Sequence, residues 1–194
     1  MGLGNPGPRY AKTRHNVGAD AVALLAERHG ERLRQGKELA LVAEVQLDGK
    51  RLALAFPQTF MNESGRSISR LVHRFKIEDL TRLVIVHDEL DLPLGSVRVK
   101  AGGGLAGHNG LRSAKAWLRS DEFTRVRIGI GKPPGGKDYG ADHVLSAPSR
   151  LERQKLSAAV DTAADAVEMI LAQGVATAQN EFNTRQPPDD PLNG

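Results

Sequence analysis

Four consecutive apolar residues, Leu83, Val84, Ile85 and Val86, constrain the fold more than any other feature of this chain, because they leave no face for solvent. Such a run reads as a short buried strand. It passes straight into His87, Asp88, Glu89, Leu90 and Asp91. In α/β sheets, polar residues just past the carboxyl end of a buried strand face the ligand crevice. Residues 96–100 and 124–130 alternate as half-buried strands do, and residues 39–47 and 51–56, joined through Asp48 and Gly49, read as a hairpin.

Helical spacing falls between these strands. Val17, Ala21, Leu24 and Leu25 predict a helix with Asn16 at its N-cap and Gly30 as its stop. Ile68, Leu71, Val72 and Phe75 mark a second helix from Asn62, and Leu111, Ala114, Trp117 and Leu118 a third from His108 and Asn109. The clearest runs from Leu156 through Val160, Ala163, Ala164, Val167 and Ile170 to Leu171, with a short helical turn after Gly174. This order indicates one α/β domain over residues 1–184, with a disordered tail at 185–194. The loop of residues 2–7, GLGNPG, is of the kind that follows a strand, yet almost nothing precedes it. Either the sheet lacks that strand or the start is internal to a longer reading frame.

The chain has 194 residues and no cysteine, which excludes a disulfide, a thiolate nucleophile and cysteine-ligated zinc or iron–sulfur sites. No apolar run reaches the length of a membrane span and the N-terminus lacks a signal pattern, so no membrane association and a cytoplasmic location are expected. Net charge is +4, but the segment from Arg98 to Lys137 alone carries +7, which favours a phosphate-bearing partner over a merely solvated face.

His15, in the frame YAKTRHN, is a candidate proton acceptor, although a lone histidine is more often a surface or capping residue. Asp88 offers a carboxylate to orient an imidazole. The carboxylates around it match no compact metal-ligand spacing. Asn62 reads either as an N-cap or as an amide aimed into a cleft beside Met61. The glycines at 102–104 and 107 allow close backbone approach to a ligand, with Lys100, Arg127, Lys132 and Lys137 flanking them. The spelling Gly2-x-Gly4-x-x-Gly7 matches a dinucleotide fingerprint, but no strand precedes it and Pro6 and Pro8 oppose a helix after it.

Taken in order, GLGNPGPRYAKTRHNVG, FMNESG, VHDELDLPLGSVRVK, GGGLAGHNGLRS and RVRIGIGKPPG resemble the bacterial peptidyl-tRNA hydrolase family from Gly2 to about residue 184. The resemblance implies a monomer with a twisted mixed β-sheet flanked by helices, needing neither metal nor cofactor. It implies His15 as the catalytic base and Asp88 as its orienting acid. Asn5, Asn62 and Asn109 take the place of cleft asparagines, with Tyr10, Met61 and His108 beside them. Lys100, Arg127 and Lys137 take the place of tRNA phosphate contacts. Two departures stand out: the family's first strand precedes the GLGNPG loop and is here apparently truncated, and Leu105 and Ala106 replace more polar or smaller residues.

The expected activity is hydrolysis of the ester between peptide and tRNA by a His15-activated water. The chief rival is a non-catalytic RNA-binding protein of the same fold, of the splicing type. A third reading, a nucleotide-dependent oxidoreductase, rests on the glycine spelling alone.

Overall fold

The computed structural model describes residues 1–133 and 140–185. Its elements are α1 (Val17–Arg28), β1 (Arg34–Gln35), β2 (Ala40–Leu47), β3 (Lys50–Pro57), α2 (Ser64–Arg74), β4 (Val84–Glu89), β5 (Val97–Ala101), α3 (Asn109–Leu118), β6 (Thr124–Gly129), α4 (Gly140–Leu145), α5 (Arg150–Gln173) and α6 (Val175–Thr184). The expected hairpin is β2 and β3, antiparallel in register from Ala40 opposite Pro57 to Leu47 opposite Lys50. Asp48 and Gly49 take φ of 49° and 74°, the left-handed pair that a tight two-residue hairpin turn requires. β1, α4 and the full ten-residue α6 were not expected, being too short or too weakly periodic to show in the sequence.

β4 pairs parallel with β6, and β6 pairs antiparallel with β5, so this sheet is mixed. The strand is longer than its apolar run: His87, Asp88 and Glu89 are its last residues and are buried. Residues 1–3 lie between β3 and β4. Gly2 N–H donates to Ala55 O at 2.9 Å, and Leu3 N–H to Val86 O at 2.9 Å. Residues 1–3 make a single parallel bridge here, Gly2 to Val86. They link the two three-stranded sheets, β1-β2-β3 and β4-β6-β5.

The close approach of α1 to this seam needs glycine on both sides. A Cβ on Gly2 would stand 2.1 Å from Gly18 O, and one on Gly18 would stand 2.2 Å from Val86 O. One face of the sheet packs on α1, α5 and α6 through Val86, Val126, Ile128, Leu156 and Phe182. The other packs on α2 and α3 through Leu3, Ile85, Ile68, Leu111 and Phe123. Both apolar layers meet the sheet, which explains the unbroken hydrophobic run. The tail from residue 186 and Lys137 lie outside the described residues.

Candidate active site

The two seams of the fold deliver polar groups to one point. Asp88 stands one residue before the end of β4, 2% exposed. His15 arrives in a 3-10 turn, Arg14–Asn16, immediately before α1. Asn16 does not cap α1 as its position suggested. Its side chain instead accepts from Asn5 N–H and donates to Asn5 O, both at 2.9 Å, tying the GLGNPG loop to the histidine's turn. Asn5 in turn accepts through Oδ1 from Met61 N–H at 2.8 Å, which fixes the start of α2 and leaves its Nδ2 uncommitted.

Nδ1 of His15 lies 2.9 Å from both carboxylate oxygens of Asp88. Nε2 of His108 lies 2.9 Å from Asp88 Oδ1. Burial alone would raise the Asp88 pKa, but the two imidazoles outweigh it and hold the carboxyl well below the usual carboxylate range. An ionised carboxylate only accepts, so each of these ring nitrogens donates. His108 is committed on its other side as well: its Nδ1 accepts from the N–H groups of Gly110 at 3.1 Å and Leu111 at 3.4 Å, capping α3. His108 is thus engaged on both sides, by Asp88 and by the first turn of α3. Among the described residues His15 has no such second partner. Its Nε2 is an acceptor facing a cleft of about 200 Å³ lined by Asp88, Leu90, His108, Asn109, Ala141 and Val144.

Nitrogen and oxygen atoms of His15, Asp88 and His108 lie within 4.8 Å of one another, close enough to be considered for a metal. A cation there would have to replace the Nδ1 proton of His15 and the Nε2 proton of His108, both already bonded at 2.9 Å. The set is better matched to protons.

The remaining expected residues are spread around this centre. Met61 is buried, whereas Asn62 and Asn109 are exposed and make no side-chain hydrogen bond among the described residues. Tyr10 is half-buried, edge-on to Phe60 at 6.3 Å. Arg127 donates to Glu89 Oε2 at 3.0 and 3.1 Å, so its charge is largely met inside the protein. Lys100 is half-buried next to Gly103. The dense basic segment thus offers fewer free cations than its charge implied, because Arg98 caps carbonyls, Lys115 pairs with Asp121 and Lys132 with Asp91.

Three buried groups were missed. His87 donates from Nδ1 to Asp88 O at 2.7 Å and packs edge-on to His108 at 4.9 Å, with burial pushing its pKa well down. Arg125, 1% exposed, places its guanidinium on the carbonyls of Gly102, Gly103 and Gly104 and so shapes the glycine loop. In that loop Leu105 packs into the α2–α3 core, and Ala106 sits at φ 48°. Arg14 makes a bidentate pair with Glu152 at 2.8 Å and donates to Ser146 Oγ at 2.6 Å, fastening α4 and α5 to the turn that bears His15. Adjacency to Asp88 and His15 was the only signal for His87 and Arg14.

The sequence model described as peptidyl-tRNA hydrolase matches residues 1–190. A peptidyl-tRNA hydrolase of Frankia casuarinae is 50% identical over 182 residues, 94% of this chain and 91% of that protein. One from Mycolicibacterium vanbaalenii is 49% identical, covering 93% of each. Among solved structures, the peptidyl-tRNA hydrolase of Acinetobacter baumannii superposes with a TM-score of 0.89 at 37% identity, covering 96% of this chain and 94% of that one.

Proposed function

The chain belongs to the peptidyl-tRNA hydrolase family, and on that footing we propose that His15 is the general base of its reaction and Asp88 the group that orients it. The enzyme hydrolyses the ester joining peptide to tRNA and releases free peptide and reusable tRNA. One observation carries the assignment: the 2.9 Å bond from His15 Nδ1–H to Asp88, which leaves Nε2 as the only acceptor of that ring. Nε2 takes a proton from water as the oxygen attacks the ester carbonyl, and the buried carboxylate stabilises the imidazolium that forms. The same nitrogen then returns the proton to the departing ribose oxygen. No other group needs to titrate.

His108 serves as a positioning residue, since both its nitrogens are engaged. The amides of Asn5, Asn62 and Asn109 hold the peptide backbone and stabilise the tetrahedral oxyanion. Amide partners suit a blocked amine, whereas a free ammonium would be buried without its counter-charge, which spares aminoacyl-tRNA. Lys100 meets tRNA phosphate, and Arg127 does so when it exchanges Glu89 for the RNA. We read the protein as a monomer working in the cytoplasm. The family's place in translation supports the cytoplasmic part of that reading.

The test compares N-acetyl-aminoacyl-tRNA with free-amine aminoacyl-tRNA. Release from the first alone is expected, with His15→Ala abolishing turnover while tRNA binding persists. Release from neither would favour the RNA-binding alternative, and wild-type cleavage by His15→Ala would remove the histidine from its role.

A further inference from the structure

α2 and α3 both begin at the catalytic cleft. Met61, in the turn before α2, is bonded to Asn5, and His108, the cap of α3, is bonded to Asp88. The two helices lie in direct contact because Gly65 has no side chain. A Cβ there would stand 2.2 Å from Ser113 O, and Gly65 N–H donates to Ser113 Oγ at 3.0 Å. Each therefore leads away from the cleft beside the other for about 15 Å.

α2 carries Arg66 and Arg70, the latter bordering a hollow with Lys37 and Glu38, and Arg112 and Arg119 lie on and just after α3, all four arginines being exposed. Among the described residues none of the four has a side-chain hydrogen bond or ion pair, whereas the neighbouring Lys115 is held by Asp121 at 2.6 Å. This placement works against the helices themselves. Arg66 and Arg112 stand in or beside first turns that contain no acid, where the helix dipole already disfavours a cation. Arg66 and Arg70 repel each other one turn apart. Glu63 stands at the N-cap of α2, and Glu38 lines the same surface hollow as Arg70 without pairing with it. Trp117, 54% exposed, lies over Gly65 where the two helices meet, and its indole N–H can serve a phosphate or a 2′-hydroxyl. Charges arranged at a cost to local stability, unpaired, and leading out of the reaction centre are complementary to an extended polyanion entering that centre.

We propose that the exposed α2–α3 face, through Arg66, Arg70, Arg112, Arg119 and Trp117, is a docking track for the double-stranded stem of the RNA whose end is hydrolysed at His15. The inference rests on the reading of peptidyl-tRNA as substrate. It assigns this stem a surface distinct from Lys100 and Arg127 on β5 and β6. Double-stranded RNA is held by shape and backbone contacts, so the track requires phosphate-seeking arginines and no base-reading groups.

The experiment uses the whole enzyme, two substrates and two charge-matched variants. The substrates are N-acetyl-aminoacyl-tRNA and the same ester on a short single-stranded oligonucleotide corresponding to the tRNA 3′ end. The first variant combines Arg66→Gln, Arg70→Gln, Arg112→Gln and Arg119→Gln. The control combines Arg32→Gln, Arg34→Gln, Arg82→Gln and Arg150→Gln, four exposed arginines elsewhere that likewise make no side-chain hydrogen bond or ion pair among the described residues, Arg82 lying within the field of Asp79. For full-length substrate the first variant is expected to raise KM about tenfold or more at low salt, with kcat little changed. The slope of log KM against log salt should flatten by up to about three and a half, near 0.7 to 0.9 for each lost phosphate contact. Its KM for the short substrate should match wild type, and the control should shift neither. A wild-type KM and salt slope in the first variant would overturn the track. So would an equal loss in the control, which would make bulk charge the cause, or an equal loss on the short substrate, which would place the arginines at the ester. Failure of the wild type on both substrates would instead overturn the functional reading beneath it.

Discussion

At the scale of single residues, Asp88 accepts from two imidazoles whose other nitrogens face different duties. His108 turns its second nitrogen to the amides of α3, and His15 turns its own to the cleft. Asp88→Asn should lower kcat by about 10² to 10⁴, because an amide can donate to Nδ1 and shift the proton to Nε2, the wrong tautomer for a base. Steady-state kinetics with unchanged tRNA affinity checks this. Two substitutions at His108 separate its roles. His108→Asn retains an N-cap acceptor but cannot span to Asp88, so kcat falls while urea stability stays near wild type. His108→Ala loses both, costing in addition about 1–2 kcal/mol of stability. Equal stability losses in the two variants would show that the cap is not what His108 contributes. His15 and Asp88 were legible because an imidazole and a carboxylate stand in an unusual motif and at a strand exit. Arg125 and His87 were not, since polar residues read as surface until a fold encloses them.

Among elements, Ser146 at the end of α4 and the first turn of α5 are fastened to the turn bearing His15 by one guanidinium. Arg14 is 7% exposed at its side chain and Glu152 is 30% exposed, so removing the arginine should cost about 2 kcal/mol, less than for a wholly buried pair. Equilibrium unfolding of Arg14→Gln measures it, and a loss under a few tenths of a kcal/mol would assign the docking of α5 to its apolar face alone. Glu152 also accepts from Ser149 N–H in a capping box. Burial opposes its ionisation, but hydrogen bonds from Arg14 and Ser149 lower its pKa from 4.5 to about 2. A depressed carboxylate stabilises the fold above its unfolded value, so this contribution should vanish as pH falls from about 4.5 to 2. In Glu152→Gln the acid unfolding curve should be correspondingly shallower. The long helix and the Asp48-Gly49 hairpin were legible because period and turn chemistry are local. α4 was not, because six residues have little period to show and its position depends on a partner 132 positions away.

Across the whole molecule, residues 1–3 join two three-stranded sheets, and the α-amino group of Met1 is buried in the joint, donating to Val84 O at 2.6 Å. Burial lowers its pKa from 8.0 to about 5. For a chain beginning at Met1, the folded state then binds fewer protons than the unfolded state between these values. Stability should rise from pH 5 to 8, by up to about 4 kcal/mol from this group. Urea denaturation across that range checks it, with N-terminal acetylation expected to remove the dependence; an unchanged slope after acetylation would place the effect elsewhere. By itself the sequence determined the α/β class, the periodic elements and the family, and it singled out His15, Asp88 and the asparagines as candidates, because periodicity, turn residues and motif order are written locally. Only the tertiary structure decided which charges are spent internally, which imidazole keeps a free nitrogen, and how residues 1–3 join the two sheets. Each of these depends on contacts between residues far apart in the chain, where burial and hydrogen-bond partners, not residue type, set the chemistry.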